Sequence, residues 1–254
     1  VGVEGQAWYR VAVSESGYEV ESNGTREDFS RLFRLDWDGE AVEREILGRG
    51  PEMAPYLELH RGLRLMRPSS AVETLVSFLC ASNNHLKRIG AMVGKLSELG
   101  PLFSGTDFRR FPSLSQVACV GEARLREWGF GYRAATICRA AAELEARGGE
   151  AYLEGLRRRA VPEVRAELVS LPGVGRKLAD CILLFGLDRH EVIPVDTHIR
   201  TALTRLYFGG SISGGLTAAR YQELATFFEN RFGELSGWAQ QALFFDRVLN
   251  WRQG

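Results

Sequence analysis

Lysine is almost missing from this sequence: of its 32 basic residues only three are lysines, Lys87, Lys95 and Lys177. Arginine supplies the generic positive charge. A lysine in such a background points to a task arginine cannot perform, such as attack by an amine, because a guanidinium stays protonated. Cysteine is sparse as well. Cys80, Cys119, Cys138 and Cys181 lie far apart, with no spacing suited to zinc or to an iron–sulfur cluster, and they read as reduced thiols of a cytosolic protein. No apolar run approaches the ~18 residues a membrane span requires. The opening VGVEGQAWYR lacks the apolar core of a signal peptide, and its missing Met reads as a trimmed or renumbered start. Net charge is absent too: the formal charge is zero and the pI about 7.1. That excludes a strongly basic, indiscriminate DNA coat but leaves room for a local basic face. Arg157, Arg158 and Arg159 are either part of such a face or a solvated helix end. Internal repeats and low-complexity tracts are also missing.

What is present is ordinary globular composition, 45% hydrophobic and 25% charged over 254 residues, enough for one large or two modest domains. The most informative stretch runs from Val161 to Arg200. Val161 to Ser170 carries apolar residues at helical spacing. Leu171-Pro172-Gly173-Val174-Gly175 must then turn sharply, since two glycines flank one apolar residue. A second, largely apolar helix is expected from Lys177 to Leu187. Main-chain N–H groups at such a turn suit a phosphate, which needs donors and positive potential but no particular base. An ordinary helix–helix turn explains the glycines equally well. Lys177 opens the second helix, and Asp196 follows in Val195-Asp196-Thr197-His198.

Taken in order, residues 6–24 read as a hairpin with its turn at Ser14–Gly17, the only one evident. Thr25 and Asp28 form a helix-capping pair. Ser69 can cap a helix carrying Val72, Leu75, Val76 and Leu79, which Ala81-Ser82-Asn83-Asn84 interrupts. Another helix follows from about His85 to Leu99. The asparagines are explained by capping alone. Residues 103–128 read as turns and short helices. Gly129-Phe130-Gly131-Tyr132-Arg133 opens a long helix to about Arg147. Asp196 is placed to cap a helix over Thr197–Tyr207, a Gly-Ser-rich segment spans 209–215, and a helix runs from about Leu216 to Phe232. A last helix begins at Gly237-Trp238, where Gln240 and Phe244 share a face.

The helix-hairpin-helix LPGVGRKLADC followed by PVDTH resembles the signature of the DNA glycosylase superfamily, and within it the 8-oxoguanine DNA glycosylase/AP lyase branch. The likeness extends to SFLCASNNHLKRIGAMV (77–93), FPSLSQVA (111–118), GFGYRA (129–134) and GWAQQALF (237–244), about 170 residues in the family's order. The endonuclease III and adenine-glycosylase branches carry four clustered cysteines after the aspartate; none follows Cys181 here. The resemblance implies a mostly α fold with a small amino-terminal antiparallel β element: an amino-terminal region 1–60 and a helical region 61–254 holding the hairpin (about 161–187) and the catalytic loop (188–198). It implies a cleft beside the hairpin into which double-stranded DNA extrudes an oxidised guanine, with strand cleavage after base release.

By the same resemblance, Lys177 is the nucleophile and Asp196 stabilises charge on the sugar. Cys181, Gln240 and Phe244 hold the base, with Gly5 a candidate to accept from its N7–H. Asn83 and Arg88 contact the orphaned cytosine, Tyr132 wedges into the duplex and Arg133 fills the gap. Gly173, Val174, Gly175 and His198 meet the DNA backbone. Bland readings stay open beside these: Asp196 and His198 as caps, Cys181 as a buried helix cysteine, Tyr132 and Arg133 as a helix start. No cofactor or catalytic metal is expected, beyond a monovalent ion on the hairpin carbonyls. The expected state is a monomer with no membrane partner, in the nucleoid or nucleus. Two alternatives are a non-catalytic DNA-binding module and a glycosylase for another damaged base. The first leaves Lys177 and Asp196 unexplained, and Lys177 argues against an alkylated-base enzyme.

Overall fold

The computed structural model describes residues 1–15, 17–210 and 214–251, with residues 247–251 described by their backbone only. Three strands, β1 (Gly2–Glu4), β2 (Ala7–Ser14) and β3 (Gly17–Ser22), form an antiparallel sheet in chain order, with Val11 opposite Val20 and Val13 opposite Tyr18. Helices follow: α1 (Arg26–Leu32), α2 (Gly39–Arg49), α3 (Ala54–Leu59), α4 (Ala71–Ala81), α5 (Leu86–Ser97), α6 (Leu114–Val120) and α7 (Glu122–Glu127). Then come α8 (Arg133–Ala146), α9 (Gly149–Gly155), α10 (Val161–Val169), α11 (Arg176–Cys181), α12 (Thr197–Tyr207), α13 (Ala218–Phe232) and α14 (Ser236–Trp251). The fold is therefore mostly helical with a small antiparallel sheet, as the sequence implies.

The contacts divide the chain into two compact units, each discontinuous in sequence. One comprises Val1–Leu32 with Pro68–Asp188, the other Phe33–Arg67 with Arg189–Gly254. This grouping differs from a boundary near residue 60, because the amino-terminal strands and the hairpin belong to the same unit.

In the first unit the sheet is anchored on α1, whose Phe29 ring meets those of Tyr9 and Tyr18 at 5.6 and 5.8 Å. Thr25 and Asp28 cap α1 reciprocally: Asp28 N–H donates to Thr25 Oγ1 (3.0 Å) and Thr25 N–H to Asp28 Oδ2 (3.2 Å). Helix α4 is the centre of the unit. Its apolar side buries Val72, Leu75, Val76, Leu79 and Cys80, and it packs on α5, α8 and α9. Burial pushes the Cys80 thiol up to about 12, so it is an inert packing group. The cap of α4 is Ser70, whose hydroxyl accepts from Glu73 N–H at 3.1 Å. Ser69, the expected cap, instead donates its hydroxyl and its N–H to the Glu4 carboxylate. That bond pins β1, a strand too short to be read from alternation, beside the single hairpin expected there.

In the second unit, Asp38 caps α2 by accepting from Ala41 N–H at 3.0 Å. Neither α2 nor α3 was foreseen in the sequence. Helix α13 packs on α2, and α14 on α3, α12 and α13. The buried side chains include Ile46, Met53, Leu65, Leu203, Leu224, Phe228, Phe232 and Leu243. Of the expected Gly-Ser-rich segment 209–215, residues 211–213 lie outside the described residues.

Candidate functional site

The hairpin forms as the glycines require. Helix α10 ends at Ser170, and Gly173 takes φ +78, where a Cβ would collide with Thr136 of α8. Val174 N–H bonds Leu171 O at 3.1 Å, closing the turn. Val174 therefore spends its donor inside the loop and buries its side chain. The N–H groups of Gly173 and Gly175 make no main-chain hydrogen bond among the described residues, and both glycines are exposed. The two helices are tied by Asp180, which is fully buried and accepts from Arg165 Nε on α10 (2.6 Å) and from Arg176 Nε on α11 (2.8 Å). A buried carboxylate needs this double pairing.

Lys177 lies in the first turn of α11, half-buried. Cys181 is one turn on, on the same helix face and buried. Beyond Cys181 the expected helix does not continue in α form: Ile182–Gly186 make a π turn, an arrangement found mostly as single turns near functional positions. The turn brings Phe185 against Phe78 of α4, ring centroids 5.8 Å apart and planes 25° from parallel. Lys177 Nζ lies 6.0 Å from the Phe78 ring centroid.

Two sequence blocks some fifty residues apart meet in the same unit. Asn83 sits at φ +48, an uncommon conformation for a residue with a side chain. Its carbonyl accepts from Arg133 Nη2 at 2.9 Å. Ser82 O accepts from the Tyr132 hydroxyl at 3.0 Å and from Arg133 Nε at 3.0 Å, with Arg133 Nη2 also donating. Arg88 Nη2 donates to Gly129 O at 2.9 Å. Asn83 and Arg88 are exposed, and the Tyr132 ring is 54% exposed. Arg133 is 4% exposed, and its donors hold the Ser82–Asn83 turn. The guanidinium lies 4.6 Å from the Tyr132 ring centroid, so the two residues brace one another.

Gly5 lies in the first unit as well. It is the β1–β2 turn residue at φ +54, where a Cβ would collide with Ser69 Oγ. The roughly 360 Å³ cavity it lines is shared with Ser69, Glu73, Arg110 and Phe111 and includes neither Lys177 nor Cys181. Burial, and then the nearby Glu4 carboxylate, push the Glu73 carboxyl up to about 7 in that cavity.

In the second unit Asp196 is the N-cap of α12, its Oδ1 accepting from Ile199 N–H at 2.8 Å. The preceding backbone is held by the buried Tyr221, whose hydroxyl oxygen accepts from Val195 N–H at 3.1 Å. His198 meets the Phe244 ring edge-on at 6.5 Å. Gln240, one turn before Phe244, is 3% exposed and its Oε1 has no partner among the described residues. A buried amide oxygen left unpaired is costly unless something else supplies a donor.

Sequence reasoning missed Phe78, Phe185 and Asp180. Only the last left a signal, as an acid four residues after Arg176 on one helix. Among the described residues, no group of three or more His, Cys, Asp or Glu could hold a metal ion, and no helix is long and apolar enough to cross a membrane.

The chain matches the model of the HhH-GPD superfamily of base excision DNA repair proteins over residues 76–225. It is 41% identical over 198 residues to the N-glycosylase/DNA lyase OGG1 of Arabidopsis thaliana, which covers 76% of this chain and 53% of that protein. Against the N-glycosylase/DNA lyase of Saccharomyces cerevisiae it is 33% identical over 217 residues, covering 74% and 57%. The matches thus span about half the length of these curated relatives. The fold is similar to that of the Clostridium acetobutylicum 8-oxoguanine glycosylase/lyase, solved with double-stranded DNA containing cytosine opposite 8-oxoG. The TM-score is 0.78 at 26% identity, with 96% of this chain and 89% of that one covered.

Proposed function

The chain belongs to the HhH-GPD superfamily of base excision DNA repair proteins, and from that premise we propose that it is a bifunctional glycosylase/AP lyase acting on 8-oxoguanine in duplex DNA. The observation that carries the reading is Lys177. A chain that otherwise relies on arginine keeps one of its three lysines in the first turn of α11, directly after the Leu171–Gly175 turn.

The protein bends the duplex and extrudes the damaged nucleotide, whose stacking the exposed Tyr132 ring replaces. The hairpin meets a phosphate through the N–H groups of Gly173 and Gly175, and His198 meets another. Gln240 and Phe244 read and stack on the base, with Cys181 on its other face; the unpaired Gln240 Oε1 supports the first assignment. The deprotonated Lys177 amine attacks C1′ with its lone pair, and the glycosidic bond breaks with the base leaving as an anion. The Asp196 carboxylate stabilises the positive charge that develops on the sugar. The new C1′ ammonium gives a proton to the departing base, cleavage of the C1′–O4′ bond with a proton from water to O4′ gives a Schiff base, and β-elimination then cuts the strand 3′ to the lesion. This chemistry uses an amine and a carboxylate and calls for no metal. A protein with this substrate works where the chromosome is, in the nucleoid or nucleus.

A gel assay over duplexes carrying 8-oxoguanine, uracil, an alkylated purine or an abasic site tests the reading. The expected result is base release and strand cleavage at 8-oxoguanine and cleavage at the abasic site. DNA binding without base release from any duplex would indicate a non-catalytic module.

The opposite base gives a sharper expectation. Once the lesion leaves, cytosine presents two acceptors, O2 and N3, and one donor. Arg88 is donor-only and can serve the acceptors, while the Asn83 amide oxygen can take the amine. Adenine has no acceptor where cytosine has O2. A buried group left unsatisfied costs ~1–3 kcal/mol, roughly 5- to 150-fold in rate. Single-turnover excision should therefore be faster opposite cytosine than adenine, and Arg88→Ala should narrow the gap by slowing the cytosine case. Equal rates opposite all four bases would remove the cytosine-reading role and leave Lys177 untouched.

A further inference from the structure

We infer that Phe78 is a positioning residue that holds the Lys177 amine for attack; the inference rests on the reading of Lys177 as the nucleophile. Lysine is a poor choice for a fixed nucleophile unless something holds it, because its four-carbon stem gives the amine many rotamers. Among the described residues Lys177 makes no hydrogen bond and no ion pair. What the amine does have is the face of the Phe78 ring, 6.0 Å from the centroid. A ring face carries negative charge density that holds the resting ammonium without bonding its protons. Once a proton is lost and the lone pair is free, the same face still packs against a neutral N–H. It can therefore localise the group while leaving it chemically unencumbered, which a carboxylate partner at hydrogen-bond distance would not.

The ring is itself fixed. Thr74 and Phe78 are four apart on α4 and share a face. The π turn Ile182–Gly186 meets that face at both points. A Cβ at Gly186 would come within 3.0 Å of Thr74 Cγ2, so only glycine allows this approach without a shift. One residue earlier, Phe185 stacks on Phe78. The turn also follows Cys181 without a break, so the segment carrying the nucleophile is continuous with the segment that supports the ring beneath it. A straight α-helix continuing from Cys181 would aim the side chain at 185 elsewhere. This gives the departure from α geometry a specific use.

The scarcity of lysine makes the placement measurable. Reductive ¹³C-methylation labels three lysines and the amino terminus. The Lys177 resonance is identified by its loss in Lys177→Gln. It should be displaced upfield by the ring current relative to Lys87, and should move to the Lys87 position in Phe78→Leu. Lys95 is no reference, because its amine lies 5.6 Å from the Trp128 ring centroid. Leucine keeps an apolar side chain at a half-buried position, so the variant should fold. In single-turnover excision, Phe78→Leu should slow base release by about 10²-fold, the usual cost of misplacing a reacting group by ~1 Å, with lesion-DNA affinity unchanged. Phe78→Tyr, which restores a ring, should restore both the resonance and the rate. An undisplaced Lys177 resonance in the unmodified protein overturns the inference, and so does full-rate excision by Phe78→Leu. An unmodified protein that releases no base overturns the glycosylase reading instead, and the resonance then still decides whether Phe78 holds the amine.

Discussion

Replacing Lys177 by Gln should abolish base release while leaving lesion-DNA binding nearly intact. Glutamine is close to lysine in reach and apolar stem but has no nucleophilic amine. The fold does not depend on that amine. The hairpin is held by Asp180 between Arg165 and Arg176, by the Gly173 turn, and by the buried side chains Leu168, Ala179, Cys181 and Ile182. None of these bonds involves Nζ. The phosphate contacts proposed for Gly173 and Gly175 are main-chain contacts and should survive the change. Single-turnover excision of 8-oxoguanine should fall on the order of 10³-fold or more, the scale at which loss of a covalent nucleophile is felt. The dissociation constant for the same duplex should stay within about threefold, since the lost group acts on the transition state more than on the ground state. Parallel losses of binding and rate would instead make Lys177 a DNA contact.

The second large effect is expected at Asp196, where two roles have to be separated. The side chain caps α12, with Oδ1 accepting from Ile199 N–H at 2.8 Å. Asn caps nearly as well as Asp, so Asp196→Asn keeps the cap and removes the charge. Thermal stability should barely change, while Asp196→Ala should lose ~1 kcal/mol. If the carboxylate stabilises positive charge on the sugar, Asp196→Asn should slow base release by ~10²-fold or more. The comparison separates the roles because capping affects both variants' stability in a known order, whereas chemistry responds to charge. A single-turnover rate within about threefold of the unmodified protein would make Asp196 a cap and nothing more.

The hairpin was legible in the sequence because its constraints are local. Two glycines two residues apart, a proline and an apolar helix on either side leave the backbone few choices. The same holds for the Thr25/Asp28 cap, for α8 after Gly129–Tyr132, and for α12, whose span Thr197–Tyr207 follows from Asp196 as its cap. The misses are cases where distant residues decide. The burial of Arg133 is not readable along the chain, because carbonyls of Ser82 and Asn83, fifty residues back, accept its donors. Phe78 and Phe185 carry no mark of a role in the sequence, and only the π turn makes them a stacked pair. β1 is three residues long and has no pattern of its own. The turn that holds Gly5 beside Ser69 is also fixed by a distant pair, through the bond between Ser69 and Glu4. The discontinuity of the two units is likewise invisible to a reading that runs along the chain.

The most direct test of the central claim is borohydride trapping on a duplex with 8-oxoguanine opposite cytosine, followed by peptide mapping of the adduct. A Schiff base to an amine is reduced to a stable bond, and a chain with three lysines offers few competing attachment points. The account predicts one covalent protein–DNA species, mapped to the peptide that contains Lys177 and missing from Lys177→Gln. An adduct of normal yield in Lys177→Gln, or one mapped to Lys87, Lys95 or the amino terminus, would contradict it.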